Sequence, residues 1–140
     1  MGGVAGPAGS VIPEVARAWF DAPDHATLAT LMPDGTPQLS VVWIGRDGND
    51  LLVSTIEGRR KYLNILRDPR VTVLQFPSDN PDAYVEVRGT ASMTREGAVA
   101  FVDSLCHAYT GADRHAADDG TDNVRVIVRI TPERVFLRNR

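Results

Sequence analysis

The sequence predicts a mainly β domain of the α+β class: a small antiparallel Greek-key barrel of six or seven strands with helices packed outside it. Short runs rich in apolar and β-branched residues recur along the chain. Two Asp-Gly pairs, Asp34-Gly35 and Asp47-Gly48, fall between such runs and mark tight antiparallel turns. Three segments carry apolar residues at helical spacing instead, which places helices on the outside of the sheet.

The elements follow in order. Residues 1–10, rich in Gly and Ala, lack a basic n-region and a long apolar h-region, and read as a flexible tail rather than a signal peptide. Residues 11–140 read as one domain. A first helix is predicted around Val15, Ala16, Trp19 and Phe20, with Pro13 in its first turn, Ser10 as an upstream cap and a stop near Asp21-Ala22-Pro23. Strands are predicted at His25–Met32, Gln38–Ile44 and Leu51–Thr55, joined by the two Asp-Gly turns. Gly58–Asp68 reads as a helix with Tyr62, Leu63, Ile65 and Leu66 on its apolar side, ended by Asp68-Pro69. Val71–Phe76 and Ala83–Met93 read as strands around a polar loop. A third helix is expected from a Thr94 cap to about Tyr109, then a mobile Asp-rich loop over Gly111–Asp122. Val124–Ile130 and Arg134–Leu137 close the chain as two strands, with Pro132 at the kink between them.

Composition narrows the function. The 140 residues hold 15 Lys plus Arg against 18 Asp plus Glu, a formal charge of −3, which excludes nucleic-acid binding by bulk charge. Any basic site must be local. No apolar run nears the ~20 residues of a membrane span. The single Cys106 excludes an internal disulfide or a Cys-based zinc site and suits a reducing cytoplasm.

The most informative stretch is Leu51-Leu52-Val53-Ser54-Thr55-Ile56-Glu57-Gly58-Arg59-Arg60-Lys61. An apolar strand ends in two hydroxyls, a Gly follows, and three cations open a helix. Cations at a helix N-terminus oppose the macrodipole and cost roughly 0.3–1 kcal/mol each when unpaired. Free backbone N–H groups, hydroxyl donors and these cations together make a phosphate cradle, and a bound anion removes the cost. A solvated basic patch is the plainer alternative on charge alone.

Ser54-Thr55, Gly58-Arg59-Arg60-Lys61, Asn64 and Asp68-Pro69-Arg70-Val71, followed by Tyr84–Gly89, resemble the pyridoxamine 5′-phosphate oxidase-like superfamily of split β-barrel proteins. The similarity runs from about Ala26 to Arg134. It implies a split barrel in which Ser54, Thr55, Arg60 and Lys61 hold the phosphate of a flavin or deazaflavin, with Arg59 and Asn64 as neighbours. Flavin-using members carry an Arg and a Lys on the preceding strand, where this chain has Gln38-Leu39-Ser40-Val41-Val42-Trp43-Ile44. That departure, with Leu28-Ala29-Thr30-Leu31, Asp34-Gly35-Thr36-Pro37 and Gly58–Asn64, is similar to the branch that uses the deazaflavin coenzyme F420. Arg59 suits the polyanionic tail of that cofactor.

The resemblance further implies that the ring packs against the strand holding Gln38, Ser40, Val41, Val42 and Trp43, at the interface of a homodimer. Gln75 to Tyr84 of the second subunit then face the same pocket. The implied activity is hydride transfer between F420 and a conjugated organic acceptor such as an enone, quinone or tetrapyrrole. Use of FMN as an oxidase or reductase, non-catalytic carriage of F420, and a more distant haem-binding role remain open alternatives. The chemistry would be the cofactor's, so no catalytic thiol, triad or metal is expected of the protein.

The remaining chemistry-bearing residues read as structural. Cys106 and His107 are adjacent on a predicted helix and diverge, so they make no dyad. His115 with Asp118, Asp119 and Asp122 lacks regular metal-ligand spacing. His25 and His107 sit in no ligand motif, and a structural role is the default for His25. Trp43 on a strand reads by itself as core, and the Tyr84 hydroxyl reads as buried and satisfied rather than as a proton donor.

Overall fold

The computed structural model describes residues 4–5 and 9–139. Its elements are β1 (Val4–Ala5), α1 (Glu14–Asp21), β2 (Ala26–Leu31), β3 (Pro37–Val42), β4 (Ile44–Asp47), β5 (Asp50–Ile56), α2 (Arg60–Arg67), β6 (Arg70–Gln75), β7 (Tyr84–Thr94), α3 (Ala98–Thr110) and β8 (Arg125–Asn139). Seven strands follow the hydrogen-bonded path β3-β2-β6-β7-β8-β5-β4, and every pair is antiparallel. The two strands at the ends of that path, β3 and β4, are separated in sequence by Trp43 alone. A sheet whose far edges are one residue apart must curl, and this one curls into a split barrel.

That same residue corrects the expected strand Gln38–Ile44. The run divides at Trp43 because Gln38–Val42 pairs with β2 while Ile44–Asp47 pairs with β5. The Gly48-Asn49 pair then makes the two-residue hairpin turn from β4 to β5, with Gly48 at φ +60°. Asn49 at the tip grips the lead-in to α1: its side chain accepts from the Ile12 N–H at 2.8 Å and donates to the Ser10 carbonyl at 2.7 Å. Ser10 therefore does not cap α1, which follows Pro13 without a side-chain cap.

The core fills the curl. Strand side chains alternate inward, as Leu28, Val73, Val85, Val87, Val128, Ile130, Val53 and Leu51, and α1 covers them with Ile12, Ala16 and Phe20. Helix α2 adds Ile65, and its fully buried Asn64 donates to the Thr30 hydroxyl at 3.0 Å, which ties the helix to β2. Helix α3 lies elsewhere, against β5 and β8, and buries Ala98, Val102, Leu105 and Cys106. Gly97 rather than Thr94 precedes it, and the Thr94 hydroxyl accepts from the Glu96 N–H in the turn before.

The two closing strands expected around Pro132 are one strand of 15 residues. Pro132 fits because β5 stops pairing at Ile130 on one side, and a bulge at Arg88/Gly89 falls opposite it on the other. With β5 gone, the far half of β8 has a free edge. Val4–Ala5 pair there with Asn139 and Arg138, and the Gly9 carbonyl accepts from the Val135 N–H at 2.7 Å, where the sequence reads a flexible tail. Residues 1–3 and 6–8 of that tail lie outside the described residues.

At Gly89 the backbones of β7 and β8 approach closely, since a Cβ there would lie 2.3 Å from the Thr131 carbonyl oxygen. Backbone cannot retreat as a side chain can. Gly89→Ala is expected to lower stability by about 1–3 kcal/mol, the cost of overpacking a tight site. Urea unfolding would read this as a lower midpoint with an unchanged slope.

Candidate functional site

A cavity of about 430 Å³ opens beside the seam of the barrel, lined by His25, Val41, Val42, Trp43, Ser54, Lys61, Val102, Leu105, His115 and Arg125. Each wall has a separate origin. The end of β3 and the seam supply Val41, Val42 and Trp43; β5 supplies Ser54; the first turn of α2 supplies Lys61. Helix α3 adds an apolar side, and the start of β8 adds Arg125, the residue paired with Ile56 at the end of β5.

The polar end of this cavity is cationic. Arg59, Arg60 and Lys61 form no ion pair and no side-chain hydrogen bond among the described residues. The one acid nearby in sequence, Glu57, is taken by Arg95 at 2.5 and 2.8 Å. Partial burial, and after it the charges of Arg59 and Arg125, push the Lys61 ammonium below its usual range. No acid stands in the first turn of α2, so its positive end adds to the same field. Such a field attracts an anion.

Arg125 is held differently. It donates to Asp118 at 2.6 Å and to the Ser54 hydroxyl at 3.2 Å, and it faces the His115 Nε2 at 3.0 Å. Asp118 lies in a short 3-10 turn, Ala116–Asp118, of the acidic loop expected to be mobile. Contacts from Arg125 to Asp118 and from the His115 N–H to Asp103 at 2.7 Å tie that loop to the body, and Arg114 pairs with Asp119 within it. Asp118 and Asp119 pair with separate arginines, and among the described residues no three His, Cys, Asp or Glu side chains gather as metal ligands do.

The apolar end is aromatic. Trp43 stacks on Tyr109 with ring centres 5.4 Å apart and meets His115 edge-on at 6.1 Å. The Tyr109 hydroxyl accepts from the Ile44 N–H at 3.0 Å and shares its proton between the Asp24 and Ile44 carbonyls. It thus occupies the backbone groups that β4 exposes at the seam, and burial raises the pKa of the phenol.

The structure brings together Val41, Val42, Trp43, Ser54 and Lys61 from the site expected on sequence. Arg59 and Arg60 are exposed beside it. Thr55 lies on the opposite face of β5 from Ser54, 2% exposed, its hydroxyl without a partner; Ser40 also keeps a buried unpaired hydroxyl. Gln38 accepts from the Thr30 hydroxyl at 3.0 Å, and Asn64 sits behind it in the core. Gln75 is buried and donates to the Asp24 carbonyl at 3.1 Å, while Tyr84 lies on the outer face of β7, its ring 6.0 Å from Phe136.

Sequence reading missed His25, Val102, Leu105, His115 and Arg125. Only strand pairing exposes Arg125: it is the first residue of β8, and antiparallel register sets it beside the end of β5.

The Asp118–Arg125 pair makes a pH prediction. Donation by Arg125 holds the Asp118 carboxyl at about 2, below its ordinary 3.8. The pair's contribution is therefore complete above the ordinary value and is lost as pH falls toward 2, on the order of 2 kcal/mol. The unfolding free energy of the wild type minus that of Asp118→Asn should be constant from neutral pH to about pH 5 and shrink below about pH 4. Urea titrations at a series of pH values would measure it.

Residues 12–139 match the family described as pyridoxamine 5′-phosphate oxidase. Among solved structures, an F420 reductase is similar at 32% identity and a TM-score of 0.77, over 89% of this chain and 98% of that one. A conserved hypothetical protein from Mycobacterium tuberculosis is 26% identical with a TM-score of 0.73, over 94% of this chain and 88% of that one. General stress protein 26 from Bacillus anthracis shares the fold at 20% identity and a TM-score of 0.64, over 87% of this chain and 94% of that one. A match running from the lead-in of α1 to the end of β8, on a curled antiparallel sheet with its cavity at the seam, makes this chain a member of the pyridoxamine 5′-phosphate oxidase family of split β-barrels.

Proposed function

We propose that the protein is an F420-dependent oxidoreductase that transfers a hydride between the deazaflavin and a conjugated organic acceptor. The observation that carries the reading is Lys61: a partly buried ammonium, without an acidic partner, in the field of Arg59 and Arg125. An anion would stabilise such a cluster, and the phosphate of a cofactor supplies one. The similarity to an F420 reductase favours the deazaflavin, as does the absence of a cation from Gln38–Ile44.

The residues present fit that group. Lys61, Arg125 and the Ser54 hydroxyl would hold the phosphate, with the exposed Arg59 and Arg60 beside them for a longer anionic tail. Val41, Val42, Trp43, Val102 and Leu105 would bound a flat ring and exclude water from it. When bound, the reduced deazaflavin supplies a hydride from its C5 carbon. The protein's part is to orient the two reactants and keep them dry.

A homodimer belongs to the same proposal. On the outer face, Val41, Thr27, Leu74, Glu86 and Phe136 form one row across five neighbouring strands. Leu39, Val41, Leu74, Phe76 and Phe136 on this face are 39–71% exposed. A second copy would cover this apolar band and bring Gln75–Tyr84 toward the partner's cavity.

Lys61→Ala and Arg125→Ala should each weaken F420 binding by about 1.5–3 kcal/mol, the scale of a charge-assisted hydrogen bond. Arg17→Ala, on α1, should change it by less than ~0.5 kcal/mol. Titration of deazaflavin fluorescence measures all three, and wild-type binding of FMN in preference to F420 would overturn the cofactor assignment. Light scattering should give about twice the 15.2 kDa chain mass, and Leu74→Asp should reduce it to the single-chain value.

A further inference from the structure

We propose that His25 is the hydrogen-bond donor that receives the carbonyl oxygen of the acceptor, as a neutral imidazole whose proton is fixed on Nδ1; this assignment rests on the hydride-transfer reading above. His25 sits immediately before β2, is exposed, and lines the cavity. Its Nε2 lies 3.2 Å from the Trp43 indole N–H. An indole nitrogen only donates, so Nε2 must accept, and the neutral ring carries its hydrogen on Nδ1. Among the described residues nothing accepts from Nδ1. The ring is also fixed in orientation, edge-on to Tyr109 with centres 5.4 Å apart, and Tyr109 is itself anchored to Ile44 and Asp24. A donor with a set tautomer, a set plane and no protein partner therefore belongs to the cavity lining.

The other histidine of the cavity is placed against a cation. The His115 Nε2 faces the Arg125 guanidinium at 3.0 Å, and its ring packs edge-on to Trp43. Tyr109 offers no donor either, because its one proton is shared between two backbone carbonyls. Lys61 and Arg125 are the donors committed to the anion. His25 is the neutral donor that no cation of the anion site touches.

The chemistry balances without consuming that proton. As an α,β-unsaturated carbonyl compound takes a hydride at its β-carbon, the alkene electron pair shifts toward the α-carbon and the oxygen. The negative charge growing on that oxygen is stabilised by the Nδ1–H of His25, which stays on the ring. The α-carbon takes its proton from solvent water. A neutral imidazole polarising a carbonyl in this way is an established catalytic device.

The test uses a dye that reports on its own carbonyl, p-dimethylaminocinnamaldehyde, whose absorption moves to the red when the oxygen accepts a hydrogen bond. It needs no cofactor. Binding to the wild type should shift the band; His25→Phe should abolish the shift, and His25→Asn, whose amide N–H stands close to the place of Nδ1, should recover part of it. Nitrogen NMR of the wild type should find the His25 proton on Nδ1, and Trp43→Phe should release it to both nitrogens. With F420 loaded, His25→Phe should lower kcat about a hundredfold or more, the lower end of the cost of losing one such donor, while the F420 affinity stays within about threefold. A shift that persists in His25→Phe, no shift or no dye binding in the wild type, or a wild-type proton on Nε2 would each overturn the assignment. If F420 fails to bind while the dye shift still depends on His25, the cofactor reading falls and the donor assignment stands.

Discussion

The seam at Trp43 is the constraint from which the rest of the molecule follows. Hydrogen bonding sets β3 and β4 at opposite ends of a seven-strand path, while the chain allows them a separation of one residue. The sheet can satisfy both only by curling until its edges meet, and the right-handed twist of strands favours that curl. The curl encloses the core, frees Trp43 from either ladder and opens a cavity beside it. An edge strand so exposed would invite pairing with other chains. Here the Tyr109 hydroxyl takes up the backbone N–H and C=O of Ile44, so α3 is tied to the seam that it covers.

Charge placement separates structure from site. Arg46, Arg70, Arg88, Arg95, Arg114, Arg125 and Arg129 all reach a carboxylate. Several of these pairs are well exposed, and they contribute little to stability. The cluster at the start of α2 has the opposite character, because its acids are missing or already engaged. Unpaired like charges beside a positive helix end are unfavourable in the empty protein, and an anion at that point would relieve them. Arg125 stands between the two groups. It is neutralised by Asp118 from the acidic loop, yet it touches Ser54 and raises the potential felt by Lys61.

The aromatic end of the cavity shows how a few hydrogen bonds set a chemical role. Trp43 fixes the His25 tautomer, Tyr109 fixes both rings, and Asp24 and Ile44 fix Tyr109. Side chains so locked present one donor direction to a ligand, which is the preorganisation that electrostatic stabilisation requires. None of these residues is reactive alone. A scaffold of this kind suits a protein whose reaction belongs to its cofactor.

How much of this was legible in the sequence depended on the range of the interaction. Local signals were enough for the strands, the Asp-Gly turns and the three helices, because turn chemistry and side-chain periodicity act within a few residues. The cationic opening of α2 was readable too, since hydroxyls, Gly and cations lie together in Ser54–Lys61. Register was beyond local reading: the break at Trp43 depends on β3 and β4 having different partners, and the unity of β8 through Pro132 depends on where β5 ends. The same holds for the site. Thr55 is excluded from the cavity by strand alternation once the inner face of β5 is known, and Arg125 enters it through a pairing 69 positions away from Ile56. Sequence alone determined the three helices, most of the strand segments and where cations met a helix start. Tertiary structure alone decided which side chains share a cavity, because that follows from pairing between residues far apart in the chain and not from the preferences of neighbours.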